Sequence, residues 1–173
     1  MQNLFLLARG DAGRYPISMS RFYIGEVVAD CIRGMRSVAQ ARGVELSCSA
    51  SEDIVIVADE ELIHRLVLNL VENAVKFTQR GGKVHVDVHG GDGSCTIRVA
   101  DTGPGIAPAD QSRIFERFFR GDRARPHDAG GAGLGLPIAR WIAEVHGGEL
   151  RLEHSDAMGT VFVAVLPADT PIP

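Results

Sequence analysis

Apolar and polar positions along the 173-residue chain change period several times, and each change predicts an element. Residues 1–9, MQNLFLLAR, form a short apolar helical piece stopped by Gly10, Gly13 and Pro16. They read as the end of an element begun upstream, so residues 1–15 are expected to be a helix remnant and linker. An apolar stripe at helical spacing then runs from Val28 through Cys31, Met35 and Val38, with Gly43 as its stop. Val44, Leu46 and Cys48 alternate with polar residues as a strand does, and Ile54–Val57 is a short continuous apolar run that predicts a second strand. Asp59 is placed to cap a long helix. Leu62, Leu66 and Leu70, with Ile63, Val67, Val71 and Ala74, give that helix a wide buried face, and residues 79–82 end it.

Two alternating strands follow, Val84/Val86/Val88 and Cys95/Ile97/Val99, joined by a hairpin turn at Gly90–Gly93. Residues 101–135 are rich in Gly, Pro, Asp and Arg, with one aromatic segment, IFERFF. So long a stretch with little regular structure inside a compact domain predicts a functional loop. A helix over 136–146 ends at Gly147–Gly148. Leu150/Leu152 and Val161/Val163/Val165 make a terminal hairpin, and the last residues, 168–173, are expected to fray. Helices interleaved with antiparallel pairs predict an α/β (α+β) domain over 16–167, in which about three helices cover one face of a mixed, mostly antiparallel sheet.

Composition narrows the class. Apolar residues make up 45% and charged residues 23%, which suits a globular chain rather than a disordered one. A net charge of −4 gives no reason to expect nucleic-acid binding. No apolar run approaches membrane-spanning length, and no signal-peptide pattern opens the chain. Cys31, Cys48 and Cys95 are scattered, and fit neither a disulfide framework nor a zinc site. A reducing, cytoplasmic setting is the simplest expectation.

Three stretches carry candidate chemistry. Residues 130–136, GGAGLGL, run into a helix, where free backbone N–H groups can hold phosphate. A dinucleotide fingerprint starting at Gly131 would need a third glycine at Leu136, and no Gly-Lys-Ser/Thr follows, so both common phosphate loops are excluded. In NLVENAVK, Asn69, Asn73 and Lys76 share one helical face. A carboxamide oxygen suits Mg²⁺ and a lysine suits phosphate. The same spacing fits a solvated face with a Glu72–Lys76 pair equally well. Asp101-Thr102-Gly103-Pro104-Gly105-Ile106 follows a strand and makes a tight turn. There backbone can approach a ligand while Asp101 accepts a hydrogen bond, or the aspartate simply caps an ordinary turn. His85 and His89 flank Asp87 on the polar side of a strand and read as a solvent-facing edge. His64, His127 and His146 lack a phosphoacceptor context.

In their order, these stretches resemble the catalytic, ATP-binding domain of sensor histidine kinases, within the ATPase superfamily shared with gyrase, Hsp90 and MutL. NLVENAVKFT is similar to the asparagine box, DTGPGI to the first glycine box, FERFF to the phenylalanine box and GAGLGL to the second glycine box. MGTVF (158–162) resembles a later Gly-Thr element, and the resemblance covers about residues 20–167. It implies the Bergerat fold, a two-layer α/β sandwich, with ATP and Mg²⁺ as cofactors. Asn73 would hold Mg²⁺. Asn69 stands where hydrolysing relatives carry a glutamate base, and an amide takes no proton. Asn69, Asn73 and Lys76 would form the catalytic set. Asp101 would receive the adenine amino group, with Gly103, Gly105, Ile106, Phe118 and Thr160 around the nucleotide. Gly131, Gly133 and Gly135 would face phosphates, with Leu134 and Leu136 beside them. Residues 120–131 would form a lid in which Arg120, Arg123 and Arg125 could reach phosphate.

No histidine box is present among the 173 residues. The resemblance therefore implies a chain that binds ATP but does not phosphorylate itself, with the acceptor histidine on its own dimerisation domain and a response regulator downstream. The fragment would be monomeric and the full-length kinase a homodimer, its catalytic domain cytoplasmic and its parent anchored in the bacterial inner membrane. Two other readings remain: a nucleotide-sensing module without catalysis, and a serine kinase of the anti-sigma type.

Overall fold

The computed structural model describes residue 7 and residues 15–50, 54–121 and 132–168. The remaining residues, which include the expected helix remnant and most of the expected lid, lie outside that description. In chain order the elements are β1 (Ser20–Tyr23), α1 (Ile24–Arg42), β2 (Glu45–Ala50), β3 (Val55–Ala58), α2 (Glu60–Phe77), β4 (Lys83–Gly91), β5 (Ser94–Asp101), α3 (Gly135–Val145), β6 (Glu149–Asp156) and β7 (Gly159–Pro167). A five-stranded sheet has the order β2-β4-β5-β7-β6, and β1 pairs with β3 in a separate ribbon. Only β2–β4 is parallel; the other pairs of the sheet are antiparallel. The three helices of the described residues pack on one face of this sheet, as the alternation of elements predicts.

Local chemistry accounts for the helices. Asp59 caps α2 by accepting the Leu62 N–H at 3.1 Å, and Thr78 closes it by returning its N–H and hydroxyl to the Ala74 carbonyl at 3.0 and 2.7 Å. Between these caps Leu62, Ile63, Leu66, Val67, Leu70 and Val71 are buried against the neighbouring helices and the sheet. The other face of α2 is left for the cavity described below. His146, just past α3, ties two helices together. Its Nδ1 donates to the Ile142 carbonyl at 2.7 Å, and its Nε2 accepts the Asp59 N–H at 3.0 Å. The β4–β5 hairpin turns at Asp92 (φ 50°) and Gly93 (φ 71°), the two left-handed residues of a type I′ turn.

Several expectations need correcting. Helix α1 begins at Ile24, and its buried stripe ends on Ala39, not Val38, which is 46% exposed. Residue 39 lies four positions after Met35 and stays on the sheet-facing side, while Val38 falls beside it. Strand β1 was not legible at all. On β7, Phe162, Ala164 and Leu166 stand opposite Val99, Ile97 and Cys95 and face the helices. Val161 and Val163 are buried on the opposite face, so β7 is buried on both sides. Strand β7 runs to Pro167, and the Ala168 N–H bonds to the Gly93 carbonyl at 2.9 Å. Among the described residues no helix is long and apolar enough to cross a membrane.

Candidate functional site

The uncovered face of α2, the end of β5, the turn after it and the start of α3 enclose a cavity of about 350 Å³. Each wall follows from its sequence. On α2, Asn69, Glu72, Asn73, Lys76 and Phe77 line it, recurring at the three- and four-residue steps (69, 72/73, 76/77) that keep to one helical face. The Asn69 Nδ2 is fully buried and has no hydrogen-bond partner among the described residues. A buried amide donor without an acceptor is costly, and this one stands on the cavity wall. A Cβ on Gly135 would lie 3.7 Å from Asn69 Oδ1, so this amide adjoins the N-terminus of α3.

That N-terminus supplies a second wall. Ala132, Gly133, Leu134, Gly135, Leu136 and Pro137 all line the cavity. The first N–H groups of a helix have no partner within it and attract anions, an effect the helix dipole reinforces. Gly133 has φ 67°, and a Cβ there would fall 2.8 Å from the Phe119 carbonyl oxygen. Its own carbonyl accepts the Phe118 N–H at 3.0 Å, stapling the aromatic segment to the glycine loop. Phe118 sits at φ 63°, which turns its ring outward to 58% exposure. Its neighbour Phe119 lines the cavity in its place, with the Arg113 guanidinium 4.5 Å above the ring.

The third wall is the end of β5. Asp101 Oδ1 accepts the Gly103 N–H at 2.8 Å, and Asp101 stands opposite Thr160 across the sheet. Burial pushes its carboxyl above the usual range, against the Gly103 and Thr160 N–H groups that pull it down. Gly105 has φ 72°, and a Cβ there would fall 1.8 Å from the Asp156 carbonyl oxygen, so only glycine fits. The cavity thus has a desolvated acceptor at one end. At the other it has a lysine, two carboxamides and a helix N-terminus. That polarity suits a ligand with a donor-bearing head and an anionic tail.

Of the residues singled out by sequence, Asn69, Asn73, Lys76, Asp101, Gly105, Ile106, Gly133, Leu134, Gly135, Leu136 and Thr160 line this cavity. Gly103 lies behind it, packed against the Phe77 carbonyl. Gly131, Arg123 and Arg125 lie outside the described residues, and Arg120 lines the rim. Sequence reasoning missed Phe77, Asp110, Ile114, Phe119 and Phe162, and left Glu72 toward solvent. Phe77 is four residues after Asn73, and Phe162 two after Thr160 on its strand, so helical and strand periods could have found both. Asp110 and Ile114 belong to an irregular turn with no period to follow. The histidines stand apart. His85 bonds Ser47 at 2.8 Å and Asp87 at 3.2 Å on the helix-free sheet face, and His64 adjoins Asp30 at 3.5 Å. Among the described residues no cluster of three or more His, Cys, Asp or Glu side chains is placed to hold a metal ion.

Comparison with known proteins gives the same picture from outside. The family model described as "Histidine kinase-, DNA gyrase B-, and HSP90-like ATPase" matches residues 58–170. The chain is 36% identical over 157 residues to the sensor-like histidine kinase SenX3 of Mycobacterium tuberculosis, covering 91% of this chain and 38% of that relative. The chain therefore spans well under half the length of this curated relative. Among solved structures, full-length ShkA in complex with AMPPNP aligns with a TM-score of 0.86 at 30% identity, over 99% of this chain and 36% of ShkA. The mycobacterial sensor histidine kinase MprB aligns with a TM-score of 0.77 at 30% identity, over 86% of this chain and 98% of that one. With this match over most of the chain, and a cavity walled by the same ordered motifs, the chain belongs to the family of histidine kinase-, DNA gyrase B- and HSP90-like ATPases, as an ATPase domain of the histidine kinase type.

Proposed function

We propose that this domain binds Mg-ATP in the cavity and donates the γ-phosphoryl group to a histidine on a dimerisation domain of a sensor histidine kinase. The observation that carries the reading is the cavity's polarity: Asp101 at the base end, and Asn69, Asn73, Lys76 and the N-terminus of α3 at the phosphate end. The AMPPNP bound to ShkA, a structural neighbour, supports a nucleotide there. Phosphoryl transfer asks a protein mainly for positioning and charge neutralisation, and these residues supply both. Asp101 accepts the base amino group. Lys76 and the N–H groups at Gly135 and Leu136 draw the phosphates toward α3, and the buried Asn69 Nδ2 gains the acceptor it lacks. The donor set suits a hard cation: the Asn73 carboxamide oxygen would hold Mg²⁺ together with phosphate oxygens, and that ion would neutralise charge on the triphosphate. Asn69 is an amide that takes no proton, so position 69 offers no base to activate water, which favours keeping the γ-phosphoryl group for transfer; Glu72 and Asp110 are the other carboxylates lining the cavity.

In this reading the acceptor is the kinase's own dimerisation domain, the full-length protein is a homodimer that phosphorylates a response regulator, and this domain works on the cytoplasmic side of the membrane. Calorimetric titration with Mg-ATP tests the site: Asp101→Asn and Asn73→Asp each weaken binding, and unchanged affinity in both overturns the assignment. Mixing the domain with ATP labelled at the γ position and a histidine-bearing dimerisation domain tests the reaction. Acid-labile label on the histidine is the expected result; acid-stable phosphoserine on a partner, or ATP binding without transfer, refutes it.

A further inference from the structure

A bulge in β6 decides which of its side chains stands beside Thr160 at the base end of the cavity. Leu152 pairs with Phe162, but the next pair is His154 with Val161, so β6 spends two residues where β7 spends one. Past that point Ser155 stands opposite Thr160. Without the extra residue His154 would take that place, since one residue of register turns every later side chain to the other face. The bulge thus adds Ser155 on β6 to the row that Asp101 on β5 and Thr160 on β7 already form. Asp101 and Thr160 line the cavity, and Ser155 is the next residue of their row, opposite Thr160.

The Ser155 hydroxyl is occupied on two sides. Its oxygen accepts the Ile106 N–H at 2.8 Å and lies 3.1 Å from Thr160 Oγ1. The Ile106 carbonyl is held in turn by Gln111 Nε2 at 3.0 Å, and that nitrogen also reaches the Ser155 carbonyl at 3.3 Å. Both backbone groups of Ile106 are therefore fixed, one by β6 and one by Gln111. The preceding residue, Gly105, is pressed against the Asp156 carbonyl. Only one proton can lie between the Ser155 and Thr160 hydroxyls, so the Thr160 hydroxyl either donates to Ser155 or accepts from it and keeps its own proton for the base. A purine amino group and a purine carbonyl ask opposite things of such a hydroxyl.

We propose that Ser155, aimed by the β6 bulge, is a positioning residue for base recognition: it fixes Ile106 and the Thr160 hydroxyl, and so sets affinity and selectivity at the base end. The proposal deepens the Mg-ATP reading and rests on it. Ser155 acts through Ile106 and Thr160, without touching the ligand.

The test is calorimetric titration of the wild type, Ser155→Ala and Ser155→Thr with Mg-ATP, Mg-ADP and Mg-GTP. Ser155→Ala leaves the Ile106 N–H without its acceptor and weakens ATP and ADP alike by about tenfold. It also narrows the preference for ATP over GTP, and Ser155→Thr restores both. An ATP affinity within about twofold of the wild type overturns the proposal. So does a loss of ATP affinity that keeps the ATP-over-GTP preference and is not rescued by threonine, since that is a structural effect only. If Ser155→Ala does not fold, Gln111→Ala loosens the same turn from the other side, and an unchanged base preference there is refuting. A wild type that binds no Mg-ATP overturns the nucleotide reading itself, whereas binding wild type with indifferent variants overturns this proposal alone.

Discussion

Gly105→Ala is the sharpest perturbation the geometry offers. The residue sits at φ 72°, and an added Cβ would lie 1.8 Å from the Asp156 carbonyl oxygen, 2.6 Å from its carbon and 3.3 Å from its Cα. Real Cβ atoms essentially never approach closer than 3.0 Å, so one backbone must retreat by about 1.2 Å. Both sides are backbone, and no side-chain rotation relieves the clash. The positive φ adds about 1–2 kcal/mol for any residue with a Cβ. The β6–β7 turn ends at the exposed Met158 and can swing outward, so the fold survives while the wall beside Asp101 is displaced. A wall displaced by about 1.2 Å no longer meets the base in the geometry that Asp101 and Ile106 now present, so affinity falls. Gly81→Ala separates strain from displacement: φ is 86° there, yet a Cβ meets nothing within 4 Å. The assay is calorimetric titration with Mg-ATP alongside thermal unfolding. Gly81→Ala lowers the melting temperature slightly and binds ATP as the wild type does. Gly105→Ala loses affinity far beyond its loss of stability. Wild-type affinity in Gly105→Ala refutes the claim that the Gly105–Asp156 approach shapes the base end.

Three further outcomes follow from burial and charge. Burial holds the Asp101 carboxyl above its ordinary range, so the folded state takes up that proton more readily than the unfolded chain. Its stabilising share is complete below the ordinary carboxylate range and is lost as pH rises through the elevated value. Asp101→Asn therefore raises the melting temperature of the nucleotide-free domain at neutral pH, a gain that fades in acid; a pH-independent change refutes it. Burial pushes the Cys31 and Cys95 thiols up to about 12, while Cys48 is exposed. A thiol reagent at mildly alkaline pH should thus modify Cys48 alone until denaturant is added, and three fast thiols in the native protein contradict the core. Replacing His146 with leucine leaves the Asp59 N–H without the imidazole that accepts it and should cost about 1–3 kcal/mol, or about 2–4 °C per kcal/mol in thermal unfolding. An unchanged melting temperature means the bond between the two helices carries no load.

What was legible in the sequence divides by how local its cause is. Helix α2 could be read from its ends inward because Asp59 and the apolar stripe act within a few residues of each other. The glycine motifs were legible because steric exclusion leaves few residues that fit: Gly105 and Gly133 would each collide with backbone if they carried a Cβ. Strand β1 was not legible, since its four residues owe their conformation to β3, more than thirty positions away. Phe118 and Phe119 are chemically alike, and only a backbone φ of 63° sends one ring outward and leaves the other on the cavity.

The β6 bulge was hidden for a further reason. Leu150 and Leu152 set an alternation that, continued, puts His154 on the helix-facing side, and no local residue type announces the extra position at which it breaks. The β5–β7 register alone sets Asp101 opposite Thr160, and the bulge adds Ser155 to their row. A linear motif names the residues that must touch the ligand. The residues that hold them in place obey a weaker constraint, a hydroxyl at one register position, and become visible only once the strands are paired.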